Sequence, residues 1–199
     1  MQGCKSVSTP IVVGSKLMKE DDTPLCDANL YRSLVGSLMY LTATRPDIMY
    51  AVNLVARFMH QPHESHWRIA KRILRYVSGT KFYGLFYDAY NDSNLVAYID
   101  ADWEGSLDDQ KSTSGYIFLF GGKPISWSSK KQPTVALSTA EVEYIAASST
   151  CTQAICMERL FEDIGIDTCK PIKVYCDNMS TISMTKNLVF HSKSKHIDI

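Results

Sequence analysis

A chain of 199 residues has room for one generous domain or two small ones. Hydrophobic residues make up 45% and charged residues 21%, a balance that excludes an intrinsically disordered chain. Lysine plus arginine (21) cancel aspartate plus glutamate (21), so net charge does not mark a dedicated nucleic-acid binder, and any basic groove must be local.

Residues 1–27 are polar, contain Pro10, Pro24 and the pair Asp21-Asp22, and read as an irregular lead-in with no fold of its own. From Asn29 the pattern turns helical: Leu30, Leu34, Val35, Leu38 and Leu41 recur at three- and four-residue steps. Pro46 opens a second helix at its first turn, where the missing N–H costs nothing. Ile48, Val52, Val55, Phe58 and Met59 form its stripe, and Pro62 closes it. A third helix is predicted over Glu64–Val77, stopped at Ser78-Gly79. It turns Ile69, Ile73, Leu74 and Val77 one way and Arg68, Lys71, Arg72 and Arg75 another. That basic stripe reads either as a track for a phosphate backbone or as a solvated helix face.

After Thr80 the runs KFYGLFYD, LVAYID, SGYIFLFGG and PISWSS are rich in aromatic and β-branched residues and punctuated by Gly, Asn, Asp and Pro. They predict strands, the last two paired as a hairpin. A long helix from about Thr139 to Ile164 follows, capped by Ser138 or Thr139 and stopped at Gly165. A strand, IKVYCD, and a helix over about 178–186 complete an α/β unit with a mixed sheet. No run approaches the ~18 apolar residues of a membrane span. The opening MQGCKSVSTP lacks the apolar core of a secretion signal. Six cysteines form no C-x-x-C pair, which predicts free, mostly buried thiols in a reducing compartment. The expectation is a soluble protein of the cytoplasm or nucleus.

Three acidic residues stand where a cleft is expected. Asp100 ends an apolar strand in YIDADW, Glu143 lies in the first turns of the long helix in STAEVEYIAA, and Asp177 ends a strand in VYCDN. Carboxylates at strand ends sit at the rim of an α/β sheet, and neighbouring strands would set Asp100 beside Asp177. Gathered carboxylates repel one another unless a cation compensates them. Mg²⁺, with its hard oxygen shell, is the natural one, and two ions about 4 Å apart can drive phosphodiester hydrolysis. Acidic residues at strand ends also serve simply as turn formers.

The segments YIDADWEG, DQKSTSGYIFLFGGKPISWSSKKQ, LSTAEVEYIAA, VYCDNMSTI and KHIDI, in this order, resemble the ribonuclease H domain of copia-type retrotransposon Pol polyproteins. Upstream, YRSLVGSLMYLTATRPDIMYAV and HWRIAKRILRYVSGT resemble the thumb and connection of the reverse transcriptase that precedes it. The resemblance implies an α/β fold, a ribonuclease H-like mixed sheet flanked by helices, over 81–199. A small helical thumb and connection region would occupy 28–80, after the lead-in 1–27. It implies two Mg²⁺ ions, replaceable by Mn²⁺, and cleavage of RNA in an RNA–DNA hybrid, with the rest of the Pol polyprotein as a partner. Asp100, Glu143 and Asp177 take the catalytic, metal-binding positions. Glu141 and Glu143 lie about 200° apart on a helix, so one alone can face the metals. The family has a small apolar run after its glutamate, as YIAA follows Glu143, which leaves Glu141 to the helix dipole.

Asp102, on the same side of its strand as Asp100, is a further candidate ligand or a turn residue. The family's fourth carboxylate follows one more strand, whereas this sequence ends at Ile199. Asp198 in HIDI is the available substitute, although the resemblance sets it before that strand, and a missing ligand is expected to weaken hydrolysis. The paired aspartates of a polymerase turn are absent from the sequence. Arg68, Lys71, Arg72, Arg75, Lys130, Lys131, Lys193 and Lys195 are the candidate contacts to nucleic acid. Trp103 and Trp127 read more simply as core or hairpin residues, and His60, His63 and His66 as helix-boundary residues; His191 and His196 carry little signal. The competing expectation is a non-catalytic retroelement remnant, or one exapted as a binding or effector protein.

Overall fold

The computed structural model describes residues 4–89, 93–103 and 105–186. The chain divides into two compact units, Met1–Leu85 with Ser106–Asp108, and Phe86–Gly105 with Asp109–Ile199.

The first unit is helical, with α1 (Ala28–Leu41), a 3-10 turn at Pro46–Ile48 running into α2 (Met49–Ala56), and α3 (Glu64–Gly79). Asp27 starts α1 by accepting hydrogen bonds from the N–H groups of Asn29 (2.8 Å) and Leu30 (3.1 Å). The buried face of α1 is Tyr31, Val35 and Leu38, while Leu30, expected on that face, is 59% exposed. Tyr31 displaces it because its ring fills the core and its hydroxyl donates to the Val55 carbonyl at 2.7 Å. Ile48, Val52, Val55 and Phe58 of the second helical segment are buried as expected. On α3 the deepest residues are His66, Ala70, Ile73 and Tyr76, with Ile69, Leu74 and Val77 half-buried beside them. The polar lead-in is tied down: Leu17 is buried against the helices, and Val7 and Ile11 pack on the same core.

The histidines at the start of α3 do structural work, as their position suggested. His66 is fully buried and stacked on Phe58 at 4.0 Å. Its Nδ1 accepts the His63 N–H (2.9 Å), so its Nε2 carries the proton donated to the Met18 carbonyl (2.9 Å). Burial is the main cause holding its pKa below the usual histidine value. A neutral ring whose folded pKa is depressed supports stability above the unfolded pKa of about 6.5 and loses that support as pH falls toward the folded value. Denaturant unfolding at pH 7.5 and pH 5 is therefore expected to show a marked loss of stability in the wild type. His66→Gln, less stable at pH 7.5, should lose less between the two. Equal losses in both chains would remove His66 from the pH response.

The second unit contains β1 (Leu95–Asp102), β2 (Thr113–Phe120), β3 (Lys123–Lys131), α4 (Thr139–Asp163), β4 (Lys173–Tyr175) and α5 (Met179–Lys186). The sheet order is β3-β2-β1-β4, with β1 antiparallel to β2 and parallel to β4, so the expected mixed α/β sheet is present. β2 and β3 form the expected hairpin. Phe120 pairs with Lys123 around Gly121 and Gly122, whose φ values of 56° and 76° suit a two-residue turn that residues with a Cβ resist. Leu95, Ala97 and Phe118 face Ala154 and Met157 of α4 in the core. α4 ends at Gly165 (φ 73°), where the Gly165 N–H reaches the Glu162 carbonyl and the Ile166 N–H the Phe161 carbonyl.

Two expectations are corrected. KFYGLFYD forms no strand: Phe82 is 98% and Phe86 84% exposed, and strand propensity without a pairing partner does not make a strand. The thiols are free, but Cys4, Cys151, Cys156 and Cys169 are exposed and Cys26 and Cys176 half-buried, so they are not mostly buried. Among the described residues no helix is long and apolar enough to cross a membrane.

Candidate metal centre

The register of the parallel pair sets up the site. Val96, Ala97 and Tyr98 of β1 pair with Lys173, Val174 and Tyr175 of β4. Two residues beyond the last pair on each strand come Asp100, still within β1, and Asp177, just past the end of β4, both exposed. Tyr98 and Tyr175 stack beside them with centroids 5.0 Å apart.

The first turns of α4 supply the third carboxylate and are held from three directions. Ser138 Oγ accepts the Glu141 N–H (3.3 Å), and Glu141 Oε2 reaches back to the Leu137 N–H (2.7 Å). Gln132, just past β3 and 3% exposed, donates from Nε2 to Ser114 Oγ on β2 (2.7 Å) and to the Val142 carbonyl on α4 (2.9 Å). Thr181 Oγ1 of α5 donates to the Ala140 carbonyl at 2.9 Å. Glu141 is thus spent on the helix start, while Glu143, two residues on, turns to the sheet.

Glu143 is buried at 6% exposure, and its Oε1 accepts the Ala101 N–H of β1 at 3.2 Å. Burial pushes its pKa up, and the charges of Asp100 and Asp177 push it further. The ligand atoms of Glu143, Cys176 and Asp177 lie within 4.8 Å of one another. Asp100 acts on Glu143 electrostatically but is not within that spacing of both Glu143 and Asp177. The three acids are therefore neighbours around one buried carboxylate, with a thiol in the tightest group. Oxygen donors of this kind suit Mg²⁺ or Mn²⁺; the sulfur does not.

The remaining candidates separate. Asp102 leans over the turn after β1, where a Cβ on Gly105 would lie 2.8 Å from its Oδ2. Arg68 and Lys71 are exposed and Arg75 half-exposed, Lys71 resting over the Trp67 ring at 4.7 Å. Arg72 is partly withdrawn from the stripe: it donates to Thr9 Oγ1 at 3.0 Å, and its Nε is buried with no partner among the described residues. Lys130 is exposed, whereas Lys131 pairs with Asp109 at 2.6 Å. Asp198, Lys193 and Lys195, like His191 and His196, lie outside the described residues. Sequence reasoning missed Gln132 and Cys176. The adjacency of Cys176 to Asp177 at a strand end was a visible signal, while the reach of Gln132 to α4 depends on the hairpin and had none.

A mixed four-stranded sheet that gathers carboxylates from β1, α4 and the end of β4 defines an α/β domain with an acidic edge. The chain belongs to the family of copia-type retrotransposon Pol polyproteins. It is similar to the "Retrovirus-related Pol polyprotein from transposon RE2" of Arabidopsis thaliana, at 45% identity over 197 residues, 99% of this chain and 14% of that protein. It is 47% identical over 195 residues to the corresponding polyprotein from transposon RE1, covering 98% of this chain and 13% of the relative. It thus spans about one-seventh of the length of these polyproteins. A shorter relative, "Secreted RxLR effector protein 161" of Plasmopara viticola, is 46% identical over 126 residues, 63% of this chain and 89% of that protein. No family model and no solved structure matches the chain.

Proposed function

We propose that the second unit is a ribonuclease H-like domain that hydrolyses the RNA strand of an RNA–DNA hybrid with divalent cations, Mg²⁺ or Mn²⁺, held at Asp100, Glu143 and Asp177. The observation that carries this reading is the position of Glu143. It is a buried carboxylate bonded to the backbone of β1 and pressed by two further carboxylates, an arrangement that is costly until a cation joins it. When bound, a pair of such ions supplies an activated water and charge stabilisation at the leaving oxygen. The chain's own part is to hold the oxygens still. The Ala101 N–H orients Glu143, Gln132 and Thr181 fix the start of α4, and the strand register keeps Asp100 and Asp177 at one edge. Both outer carboxylates are exposed, which leaves room for a phosphate to approach them.

Recognition would rest on the 2′-hydroxyls and backbone shape of the hybrid. In the first unit, the exposed part of the α3 stripe, Arg68, Lys71 and Arg75, is the best candidate for phosphate contact, and Lys130 is one in the second unit. Within a Pol polyprotein the helices of the first unit would serve as reverse transcriptase thumb and connection.

The test is cleavage of a labelled RNA–DNA hybrid by the purified chain with Mg²⁺ or Mn²⁺, beside Asp100→Asn. Cleavage by the wild type, reduced at least about 100-fold in the variant, is the expected result, since even outer-shell changes at metal sites cost about 10–100-fold. Equal, negligible cleavage by both would leave the second reading, a non-catalytic binding or effector protein. That reading is favoured by the likeness to a relative whose name calls it a secreted effector.

A further inference from the structure

We infer that Thr9 is a phosphorylation site: a proline-directed protein kinase transfers the γ-phosphoryl group of ATP to its hydroxyl, and the guanidinium of Arg72 receives the phosphate. The site lies wholly within the first unit and does not depend on the nuclease reading. Residues 4–11 form a strap with neither helix nor strand, and among the described residues no backbone–backbone hydrogen bond ties it down. Side chains hold it instead. Val7 and Ile11 pack on the helical core, and Ser6 lies so close to Gly79 of α3 that a Cβ there would come within 2.6 Å of the Ser6 Cβ. Thr9, midway between the two apolar anchors, is exposed and precedes Pro10, which biases it toward the extended backbone a kinase cleft accepts. A strap without backbone bonds lifts locally at small cost, so the hydroxyl can enter such a cleft.

The receiving group is incomplete without a phosphate. Arg72 donates from Nη2 to Thr9 Oγ1 at 3.0 Å, while its Nε is buried with no partner among the described residues. Nε and Nη2 share one edge of the guanidinium plane, the edge that takes two oxygens side by side. Arg45 uses it that way in the same unit, with Nε and Nη2 on the two oxygens of Asp47 at 2.8 and 2.7 Å. A threonine hydroxyl supplies that edge with one oxygen and leaves the second donor orphaned, which is costly. A phosphate on the same hydroxyl supplies oxygens for both. Arg68 and Arg75, one turn to either side on α3, add positive charge around the phosphate, which carries about −1.5 to −2. Because Nε is shut off from solvent, a phosphate attached to Thr9 is better placed to reach it than one arriving from solution. In the transfer, Thr9 Oγ1 loses its proton and bonds to phosphorus as the bond from phosphorus to the ADP oxygen breaks. The product fastens the strap to α3.

The full chain is treated with a proline-directed kinase, ATP and Mg²⁺, and the modified residue is located by mass spectrometry. Phosphate on Thr9 is the expected result; a folded chain left unlabelled at Thr9 overturns the site. Tryptic cleavage after Lys5 and Lys16, both exposed, follows the population of the lifted strap and should slow at least about tenfold on phosphorylation. Arg72→Gln should lose that slowing, and Arg72→Lys, which keeps the charge without the fork, should recover only part of it. Circular dichroism checks that each variant is folded, and Arg72→Lys stands in should the glutamine disturb α3. In ³¹P spectra the second ionisation of the phosphate should fall below its usual value of about 6 in the wild type and return to it in Arg72→Gln. No slowing, or slowing and ionisation indifferent to residue 72, overturns Arg72 as the receiver. Inorganic phosphate should leave the unmodified chain unchanged; equal protection by the free ion would make Arg72 a general anion site and overturn the assignment to Thr9.

Discussion

Glu143→Gln is expected to make the metal-free protein more stable at neutral pH while abolishing Mg²⁺-dependent cleavage. Burial, followed by the charges of Asp100 and Asp177, raises the Glu143 pKa in the fold. A carboxylate whose folded pKa lies above its unfolded value supports stability at pH below the unfolded value and withdraws it as pH rises through the folded one. At pH 7 the charged Glu143 therefore opposes folding, and a neutral amide relieves it. The amide oxygen can still accept the Ala101 N–H, so the replacement removes charge and little else.

A gain on the order of 1 kcal/mol in thermal or denaturant unfolding, typical of relieving one strained functional group, is the expected size. The difference should vanish at about pH 4, where the wild-type residue is itself protonated, and shrink when Mg²⁺ is added to the wild type, because the cation offsets the same repulsion. Cleavage should fall by on the order of 100-fold or more, since a direct ligand matters at least as much as the outer shell of a metal site. A Gln variant no more stable than wild type at pH 7 without metal would show that the three carboxylates do not strain one another, and the case for a resident cation would go with it.

The parts of this structure legible in the sequence are those fixed by short-range chemistry. The Gly121-Gly122 turn, the Gly165 stop and the opening of the second helix by Pro46 each depend on the backbone preferences of one or two residues, and each stands where expected. The identity of the helix start was open between Ser138 and Thr139, and Ser138 provides it. Choosing Glu143 over Glu141 needed the resemblance, because helical spacing only says that the two diverge. In the structure Glu141 is engaged by the Leu137 N–H and Glu143 by the Ala101 N–H.

What sequence could not give was long-range. The inward face of α1 was misjudged by counting leucines, since Tyr31 becomes a core residue only when Val55, 24 positions later, offers its carbonyl. KFYGLFYD has the composition of a strand, but pairing is decided by what lies alongside, and among the described residues no strand pairs with it. The partial loss of Arg72 from the basic stripe depends on Thr9, 63 residues upstream. Cys176 fits no cysteine or histidine spacing of a metal motif, because its neighbours in the fold are the carboxylates of Glu143 and Asp177.

Arg45→Ala is expected to cost the first unit roughly 2–3 kcal/mol. Arg45 is 7% exposed and grips Asp47 with two parallel bonds, Nε to Oδ1 at 2.8 Å and Nη2 to Oδ2 at 2.7 Å. The same guanidinium donates to the Thr80 carbonyl (3.1 Å) and to Thr80 Oγ1 (2.7 Å), while Tyr76 donates to Asp47 Oδ2 at 2.8 Å. One side chain therefore links the turn before α2 to the C-terminal end of α3. Breaking a fully buried pair costs about 3–5 kcal/mol; the Asp47 side chain is 35% exposed and solvent screens its part, which lowers the figure. The loss should appear as a drop on the order of 10 °C in the unfolding midpoint of this unit. Arg45→Lys should recover only part of it, since an ammonium cannot hold both carboxylate oxygens and Thr80 together.

The pH profile supplies an independent check. Hydrogen bonding from Arg45 is the main cause holding the Asp47 pKa below the usual carboxylate value, so this contribution is present above about pH 3.8 and lost as pH falls through the lowered pKa. Wild type and Arg45→Ala should accordingly converge in acid. A variant within about 0.5 kcal/mol of wild type at pH 7, the range of ordinary surface changes, would mean that the network is decorative and that the apolar contacts of Ile48 and Tyr76 alone hold the turn to α3.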